Sequence, residues 1–479
     1  MKVKMILPAL VEAKSPFWRP IKYSLFPPLG LATLASFLSP ADEVEIVDEH
    51  VEEVAVDDTP DLVVIQVYVT SASRAYRLAD HYRAKGVFVA LGGLHVTSVP
   101  EEAALHADAI FLGPGDTTFP QFLADFRRRE AKPVYFSPLR SLDIPLPRRD
   151  LIKRERYLVP NSLVVSRGCP HHCNFCYKDN FFQGGPSFYT RRVDAALAEI
   201  ESLPGRHLYF LDDHLLGDRK FSAGLFEGMR GMKRLFQGAA TVDSILEGDL
   251  IEKAVEAGLR SIFIGFESIN PANLRSSNKR QNLGRDYDRV IRRLDELGVF
   301  INGSFVFGLD DDGPDVFRRT ASWAIERGIT TATFHILTPY PGTGLFQSLN
   351  DQGRITSRDW DLYDTRHVVY QPKGMSAQEL KDGYDWAYRE FYSWGSILEG
   401  AGSHLEFANR LRHVLYAGGW KRFEPLWNFL IKSKALFSMR GVLESILSSA
   451  QSARGEADSQ DGKLSLDNRM SIGGVKSSL

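Results

Sequence analysis

Two α/β units in tandem, followed by a mainly helical region, are the fold class that this 479-residue sequence predicts. Three observations predict it. Residues 1–135 alternate short β-branched runs with helical patterns, and residues 159–365 repeat that alternation after a proline-rich interval. From residue 366 the periodicity is helical. With 44% hydrophobic and 25% charged residues, the chain has the composition of an ordinary globular protein, long enough for two or three cores.

In the first unit VKMILPAL, EVEIVDEH, LVVIQVYV, FVALGGLH and ADAIFLGPGD read as five strands. GLATLASFLS reads as a helix with Leu31, Leu34, Ala35 and Leu38 on one face. Alternation of this kind implies a parallel, doubly wound, flavodoxin-like sheet, which binds ligands at the carboxyl ends of its strands. Gly92–Gly93 and Gly113–Pro114–Gly115 fall at such ends, where glycine permits close backbone approach or simply makes a turn. Residues 131–160 carry Pro133, Pro138, Pro145, Pro147 and Pro160 with little periodicity, so 136–158 reads as a linker.

SLVVS, HLYFLDD, GAATVD, SIFIGFES, INGSFVFG and TATFHILTP are the strands of the second unit. Between them lie helical patterns such as Tyr287, Val290, Ile291, Leu294 and Leu297 on one face. Six strand–helix units predict a partial, open (β/α)6 barrel with its chemistry at the carboxyl ends of the strands. Beyond it, in the helical region 366–455, Ser376-Ala-Gln-Glu379 is a capping box that opens a helix carrying Trp386, Tyr388, Phe391 and Tyr392. Those aromatics read as packing rather than a substrate wall. The stretch 423–449 is amphipathic and basic (Lys432, Lys434, Arg440); it reads as a surface helix packed on the barrel, with peripheral membrane contact as the alternative. Residues 456–479, rich in Ser, Gly and charge, read as a disordered tail.

Several classes are disfavoured. A net charge of -2 offers no basic field for nucleic acid. No run of about 18 apolar residues reads as a membrane span, and the first twenty residues lack the apolar core of a signal peptide. The only three cysteines, Cys169, Cys173 and Cys176, lie within RGCPHHCNFCYK and cannot form a secretory disulfide framework, which points to the cytoplasm. They read as metal ligands. Zinc would want His171 or His172 as a fourth ligand, and no second ligand pair exists at a distance. A redox pair at Cys173–Cys176 leaves Cys169 unexplained. A [4Fe–4S] cluster normally takes four thiolates, so three would leave one iron open for an exogenous ligand, and spacing and context favour this reading. The two histidines then read as polar loop residues.

Cys169-Pro-His-His-Cys173-Asn-Phe175-Cys176 resembles the signature of the radical S-adenosylmethionine (SAM) superfamily. The resemblance continues through YFLDDHL, GFES, SFVFG and LTPYPGTGLF. PPLGLATLASFL, QVYVTSASRAYRLAD, LGGLHVTSVPEEA and LGPGDTTFPQFL in turn look like a cobalamin-binding domain, so the match covers roughly residues 1–365. It implies a [4Fe–4S] cluster on the three cysteines, with SAM contacts at Phe175, Asp212, Asp213, Gly265, Glu267, Ser304 and Thr338. It also implies cobalamin contacts at Thr70, Ser71, Gly92, Gly93, His95, Thr97, Gly113 and Gly115. Asp212 or Asp213 suits the ammonium of SAM, the plainer alternative for either being a helix cap. His95 reads as a loop histidine rather than a cobalt ligand. Asp212–Gly217 spells D-x-H-x-x-G, a cobalt-ligating phrase in other proteins, but it follows a barrel strand; Asp48-Glu49-His50 begins the phrase with Glu53 in place of its glycine.

The implied reaction is reductive cleavage of SAM to a 5′-deoxyadenosyl radical, with methylation of an unactivated carbon of a small-molecule or lipid substrate. The cofactors carry that chemistry and the protein positions them. An electron donor such as flavodoxin or ferredoxin is implied as a partner. Oxidative cyclisation or rearrangement without methyl transfer is the runner-up, and a non-catalytic iron–sulfur or zinc protein is the reading from another class.

Overall fold

A computed structural model describes residues 1–10, 26–423 and 441–447. Six parallel strands form the first sheet: β1 (Lys2–Leu7), β2 (Glu43–Asp48), β3 (Leu62–Gln66), β4 (Phe88–Gly92), β5 (Ala109–Leu112) and β6 (Val134–Phe136). Their order is β2-β1-β3-β4-β5-β6. Separate hydrophobic clusters cover its two faces, which is why β1, β3 and β4 are nearly continuous apolar runs. The helix over GLATLASFLS is Leu29–Ala35, with Leu31 and Ala35 buried as its spacing predicts. The sixth strand is one more than the sequence reading. It is three residues long with Pro133 beside it, too short to show a period, and is held by pairing with β5 and by Tyr135, whose hydroxyl donates to Asp125 at 3.0 Å.

The proline-rich interval is tied down along its length. Arg148 N donates to the Ala32 carbonyl at 2.9 Å and the Tyr157 hydroxyl donates to Asp48 at 2.9 Å. Ile152, Leu158 and Val159 join the core of the first sheet.

The second sheet has six parallel strands in an open arc. They are β7 (Ser162–Leu163), β10 (His207–Phe210), β11 (Leu235–Ala240), β12 (Leu259–Glu267), β13 (Phe300–Phe307) and β14 (Thr331–Ile336), in the order β14-β13-β12-β11-β10-β7. An antiparallel ribbon, β8 (Ser166–Gly168) with β9 (Phe188–Thr190), stands outside the arc. Helix Tyr287–Glu296 buries Val290, Ile291 and Leu294 against it, the face its sequence spacing predicts. The end strands β7 and β14 do not pair with each other, so the arc remains a partial barrel.

Helices Ala377–Phe391, Trp394–Gly402 and Phe407–Phe423 follow. Ser376 caps the first of them reciprocally with Glu379: Glu379 N donates to Ser376 Oγ at 3.1 Å, and Ser376 N donates to Glu379 Oε2 at 2.8 Å. Leu380, Tyr384, Ala387 and Phe391 bury themselves in the barrel's core, so this helix is packing, as its sequence suggests. Most of 423–449, and all of 456–479, lie outside the described residues.

Candidate active site

Ribbon strand β8 delivers the chain into the cysteine loop. Gly168 ends it with φ +77°, and a Cβ there would stand 1.9 Å from the Ser187 carbonyl oxygen, so only glycine lets the loop turn away. Cys173 is buried, while Cys169 and Cys176 are half-buried. Burial pushes the Cys169 thiol up to about 11 and that of Cys176 to about 12. For those two, backbone amides pull the other way, His171 donating to Cys169 and Lys178 to Cys176; Gln281 Nε2 donates to Cys173 Sγ at 3.4 Å. N–H···S bonds of this kind stabilise sulfur in its thiolate form. The three thiols lie within eight positions of one loop, and among the described residues no group of three or more His, Cys, Asp or Glu is placed to hold a metal ion.

Neither histidine in the loop is bound up with the thiols. His172 Nδ1 pairs with Asp179 at 2.9 Å on the surface. His171 stacks on His214 with ring centroids 5.7 Å apart. His214, of the D-x-H-x-x-G phrase, is buried in the barrel and bonds Thr241 through Nε2 at 3.0 Å.

The two aspartates after β10 differ in what they are free to do. Asp212 is buried and accepts from Val165 N at 3.1 Å, from Ser166 N and from Ser166 Oγ at 2.6 Å, fastening β10 to the ribbon. Burial raises its pKa to about 7 against those donors. Asp213 is exposed toward the loop; it accepts from Tyr177 Oη at 2.8 Å and Gly168 N at 3.1 Å, and surrounding protein raises its pKa. Neither caps the next helix; Asp218 does, accepting from Phe221 N at 2.9 Å. A cationic ligand would therefore meet Asp213 rather than Asp212.

At the end of β12 the backbone bulges between Gly265 and Glu267, and Glu267 takes φ +61°. A non-glycine residue held there is strained, and such strain gathers at functional sites. Glu267 pairs with the buried Lys279 at 2.8 Å, and a Cβ on Gly265 would collide with that carboxylate at 2.4 Å. Lys279 also faces the cysteines, and its charge favours ionised Cys169. Phe175 lies half-buried in the loop itself, and Ser304 is buried on β13. Thr338, just past β14, donates to the Ile336 carbonyl at 3.0 Å.

The carboxyl ends of the two sheets face one another across a cavity of about 460 Å³. Leu7, Leu10, Tyr68, Thr70, Ser71 and His95 line it from the first sheet, and Tyr177, His335, Tyr340 and Thr365 line it from the barrel. Tyr68 is 40% exposed, yet the protein around it raises its pKa, because it faces this chamber rather than open solvent. Thr70, Ser71 and His95 of the sequence-derived set thus reach the wall. The others stand behind it. Gly93 (φ +118°) lets β4 pass against Val67, and Thr97 Oγ1 accepts from Gly113 N at 2.9 Å. Gly92 abuts Phe111, Gly113 abuts the Phe181 carbonyl and Gly115 abuts Leu34. His50 is also in the wall, held by Asp48 at 2.8 Å.

The halves are clasped around this chamber. Arg167 pairs with Asp116 at 2.9 Å, Phe26 packs on Tyr209 with centroids 4.5 Å apart, and Glu102 accepts from both His95 Nε2 (3.3 Å) and Trp360 Nε1 (3.1 Å). These bonds hold Glu102 down to a pKa of about 2. Sequence reading missed Tyr68, Tyr177, Lys279, Gln281, His335 and Tyr340. Of these, Tyr68, Tyr177 and Tyr340 lie within or beside the quoted motifs, whereas Lys279, Gln281 and His335 carried no functional signal of their own.

A family model described as B12 binding domain matches residues 23–123, and one described as radical SAM superfamily matches residues 163–336. Bacteriochlorophyllide d C-12(1)-methyltransferase of Chlorobaculum tepidum is 29% identical over 388 residues, 78% of this chain and 84% of that protein. Among solved structures, the cobalamin-dependent S-adenosylmethionine radical enzyme OxsB, with aqua-cobalamin and S-adenosylmethionine bound, shares the fold at a TM-score of 0.64. It covers 100% of this chain and 82% of that one, at 14% identity. The radical S-adenosylmethionine methyltransferase TsrM from Kitasatospora setae, with cobalamin and a [4Fe-4S] cluster bound, does so at 0.58, covering 94% and 99%, at 14% identity.

Proposed function

This chain belongs to the cobalamin-dependent radical SAM enzymes, and from that premise we propose that it methylates an unactivated carbon of an apolar small molecule or lipid. One observation carries the reading: the ligand-binding ends of both sheets open into a single chamber, so a methyl carrier on one side and a SAM-cleaving centre on the other share one acceptor. The residues present fit both groups. Three thiols from one loop, each with an N–H donor, suit a [4Fe–4S] cluster on Cys169, Cys173 and Cys176. When bound, the cluster supplies the electron that cleaves SAM and cobalamin supplies the methyl carrier.

The chain's own groups bind, orient and shield. We assign Asp213 to the ammonium of SAM, with Phe175, Gly265, Glu267, Ser304 and Thr338 around the rest of it. Lys279 neutralises Glu267 and keeps positive charge beside the thiolates. We assign Thr70, Ser71 and His95 to the corrin face of the chamber. Leu7, Leu10, Phe26, Val69 and Leu94 make that wall apolar and exclude water from the acceptor. A tetrapyrrole is the first acceptor to test, given the relative named for bacteriochlorophyllide d. A low-potential flavodoxin or ferredoxin would deliver electrons, and the three unpaired thiols suit the cytoplasm.

Anaerobic turnover with a low-potential reductant tests the reading. 5′-Deoxyadenosine and S-adenosylhomocysteine should form together with methylated acceptor. Deoxyadenosine without S-adenosylhomocysteine would overturn methyl transfer and leave cyclisation or rearrangement.

A further inference from the structure

The stretch from Arg275, in helix Pro271–Ser276, to Arg285 lies against the cysteine loop with its other side in solvent. Asn174 N donates to the Ser277 carbonyl at 3.2 Å, and Asn174 Nδ2 donates to the Ser276 carbonyl at 2.9 Å. Asn278 stands at φ +53°, a left-handed conformation that asparagine takes more readily than most residues, and its amide donates to the His172 carbonyl. Both chain neighbours of Cys173 are therefore gripped by this stretch, and Gln281 within it donates to the Cys173 sulfur itself. Cys173 is buried, yet the side chain of His172 beside it is 62% exposed, so along this seam a ligand thiol stands next in the chain to a surface residue. None of the residues from 275 to 285 lines the chamber between the sheets.

Charge identifies what meets the outer side. Between Ser268 and Arg285 the sequence has four cations and no acid. Lys279 is buried and paired with Glu267. Arg275, Arg280 and Arg285 are exposed, as is Arg289 in the first turn of helix Tyr287–Glu296, and among the described residues none of the four forms an ion pair. Asp179 and Asp288 stand nearby, but their charges are met by Lys178 at 2.5 Å and Arg327 at 2.6 Å. The exposed acids at the margins, Asp286 and Asp311, still leave the arginines in twofold excess, in a chain whose net charge is -2. No large apolar side chain is exposed between residues 268 and 289, so the patch lacks the apolar centre of a permanent interface and fits the small polar contact of an electron-transfer encounter. We propose that the face formed by Arg275, Arg280 and Arg285, with Arg289 beside them, docks an acidic one-electron carrier protein of the flavodoxin type. The proposal rests on the cluster assigned above to the three cysteines. The carrier's reduced flavin gives up one electron and is left one electron more oxidised, and the oxidised cluster gains it; no bond forms or breaks and no proton is exchanged. Opposite charge steers the carrier to the seam over Cys173 and orients it there, acting on the association rate.

Stopped-flow reduction of the reconstituted full chain tests it without turnover. Bleaching of the cluster's visible absorbance is followed after anaerobic mixing with reduced flavodoxin, and separately during illumination with 5-deazariboflavin, whose radical is a small uncharged reductant. The wild-type rate with flavodoxin should fall about tenfold as ionic strength rises from about 0.02 M to about 0.5 M. R275E/R280E/R285E should slow that rate about 100-fold at low salt and leave reduction by deazariboflavin within about twofold of wild type. R275K/R280K/R285K keeps the charge and should stay within about threefold of wild type with both reductants. A flavodoxin rate that is indifferent to salt and survives charge reversal would overturn the proposal. So would equal slowing with both reductants, because the arginines would then only hold the cysteine loop in place. No methyl acceptor is present in either arm, so failure of docking and failure of methyl transfer are separate results.

Discussion

Gln281 shows how a single side chain reaches the proposed electron chemistry. Its amide donates to Cys173 Sγ, and a sulfur that loses such a donor holds added negative charge less well. Gln281→Leu should lower the midpoint potential of the reconstituted cluster in an EPR-monitored titration and reduce turnover about 10- to 100-fold. A second residue-scale consequence follows from Asp212. Its folded pKa, about 7, lies above the usual 3.8, so the folded state holds the proton more tightly and ionisation costs stability as pH rises through that interval. Asp212→Asn removes the cost along with some of the ribbon contacts. Its destabilisation in anaerobic urea unfolding should therefore be smaller at pH 8 than at pH 6. The cysteines were legible in the sequence because they sit within eight consecutive positions. Gln281 and Lys279 were not, since a turn more than a hundred residues away brings them to the thiols and no local pattern marks them. The aspartate pair was legible as a pair only. Which of the two stays open depends on the ribbon donors that occupy Asp212.

At the scale of elements, helix Ala377–Phe391 does more than fill space. β14 is an edge strand, and Tyr388 and Tyr392 lay their hydroxyls along it: Ala332 N donates to Tyr392 Oη at 3.2 Å, and Phe334 N donates to Tyr388 Oη at 3.2 Å. Those hydroxyls blunt an edge that would otherwise offer free backbone groups to another strand. Y388F/Y392F keeps the rings and should cost about 2 kcal/mol in urea unfolding, as two donors lose partners, with faster amide exchange at Ala332 and Phe334. The helix and its capping box were readable from spacing, and so were all six barrel strands. The edge-covering role was not, because a tyrosine that packs and a tyrosine that also bonds backbone have the same periodicity. β6 escaped for a different reason, since three residues between prolines carry no period. In helix Phe407–Phe423 the period is plain and its direction is hidden: the apolar row Phe407, Leu411 and Leu415 is exposed, while Arg412 and His413 are buried and bonded to the Gly298 carbonyl and to His404.

Across the whole molecule, Glu102 joins the halves by binding His95 of one and Trp360 of the other. Its folded pKa of about 2 lies below the usual 4.5, so its contribution is complete above pH 4.5 and is lost as pH falls from there toward 2. Glu102→Ala should leave the cluster spectrum intact and speed release of cobalamin from the anaerobic enzyme by about tenfold, read by gel filtration and absorbance, because it loosens the chamber without touching a thiol. That the two sheets would lie in tandem was legible; that their ligand-binding ends would meet was not, because the clasps pair residues far apart in sequence. The open arc gives this meeting a further meaning. The end strands β7 and β14 leave a gap, and the first unit spans it like a keystone, touching one side through Phe26 on Tyr209 and the other through Glu102 on Trp360. In a closed barrel, girth is fixed by counting strands. Here no seam closes the arc, so its mouth is bounded by the first unit, to which residues 136–157 connect it as a strap. Lengthening or shortening the strap would rescale the chamber without altering a ligand, so acceptors of different bulk become accessible through a loop rather than through the catalytic core.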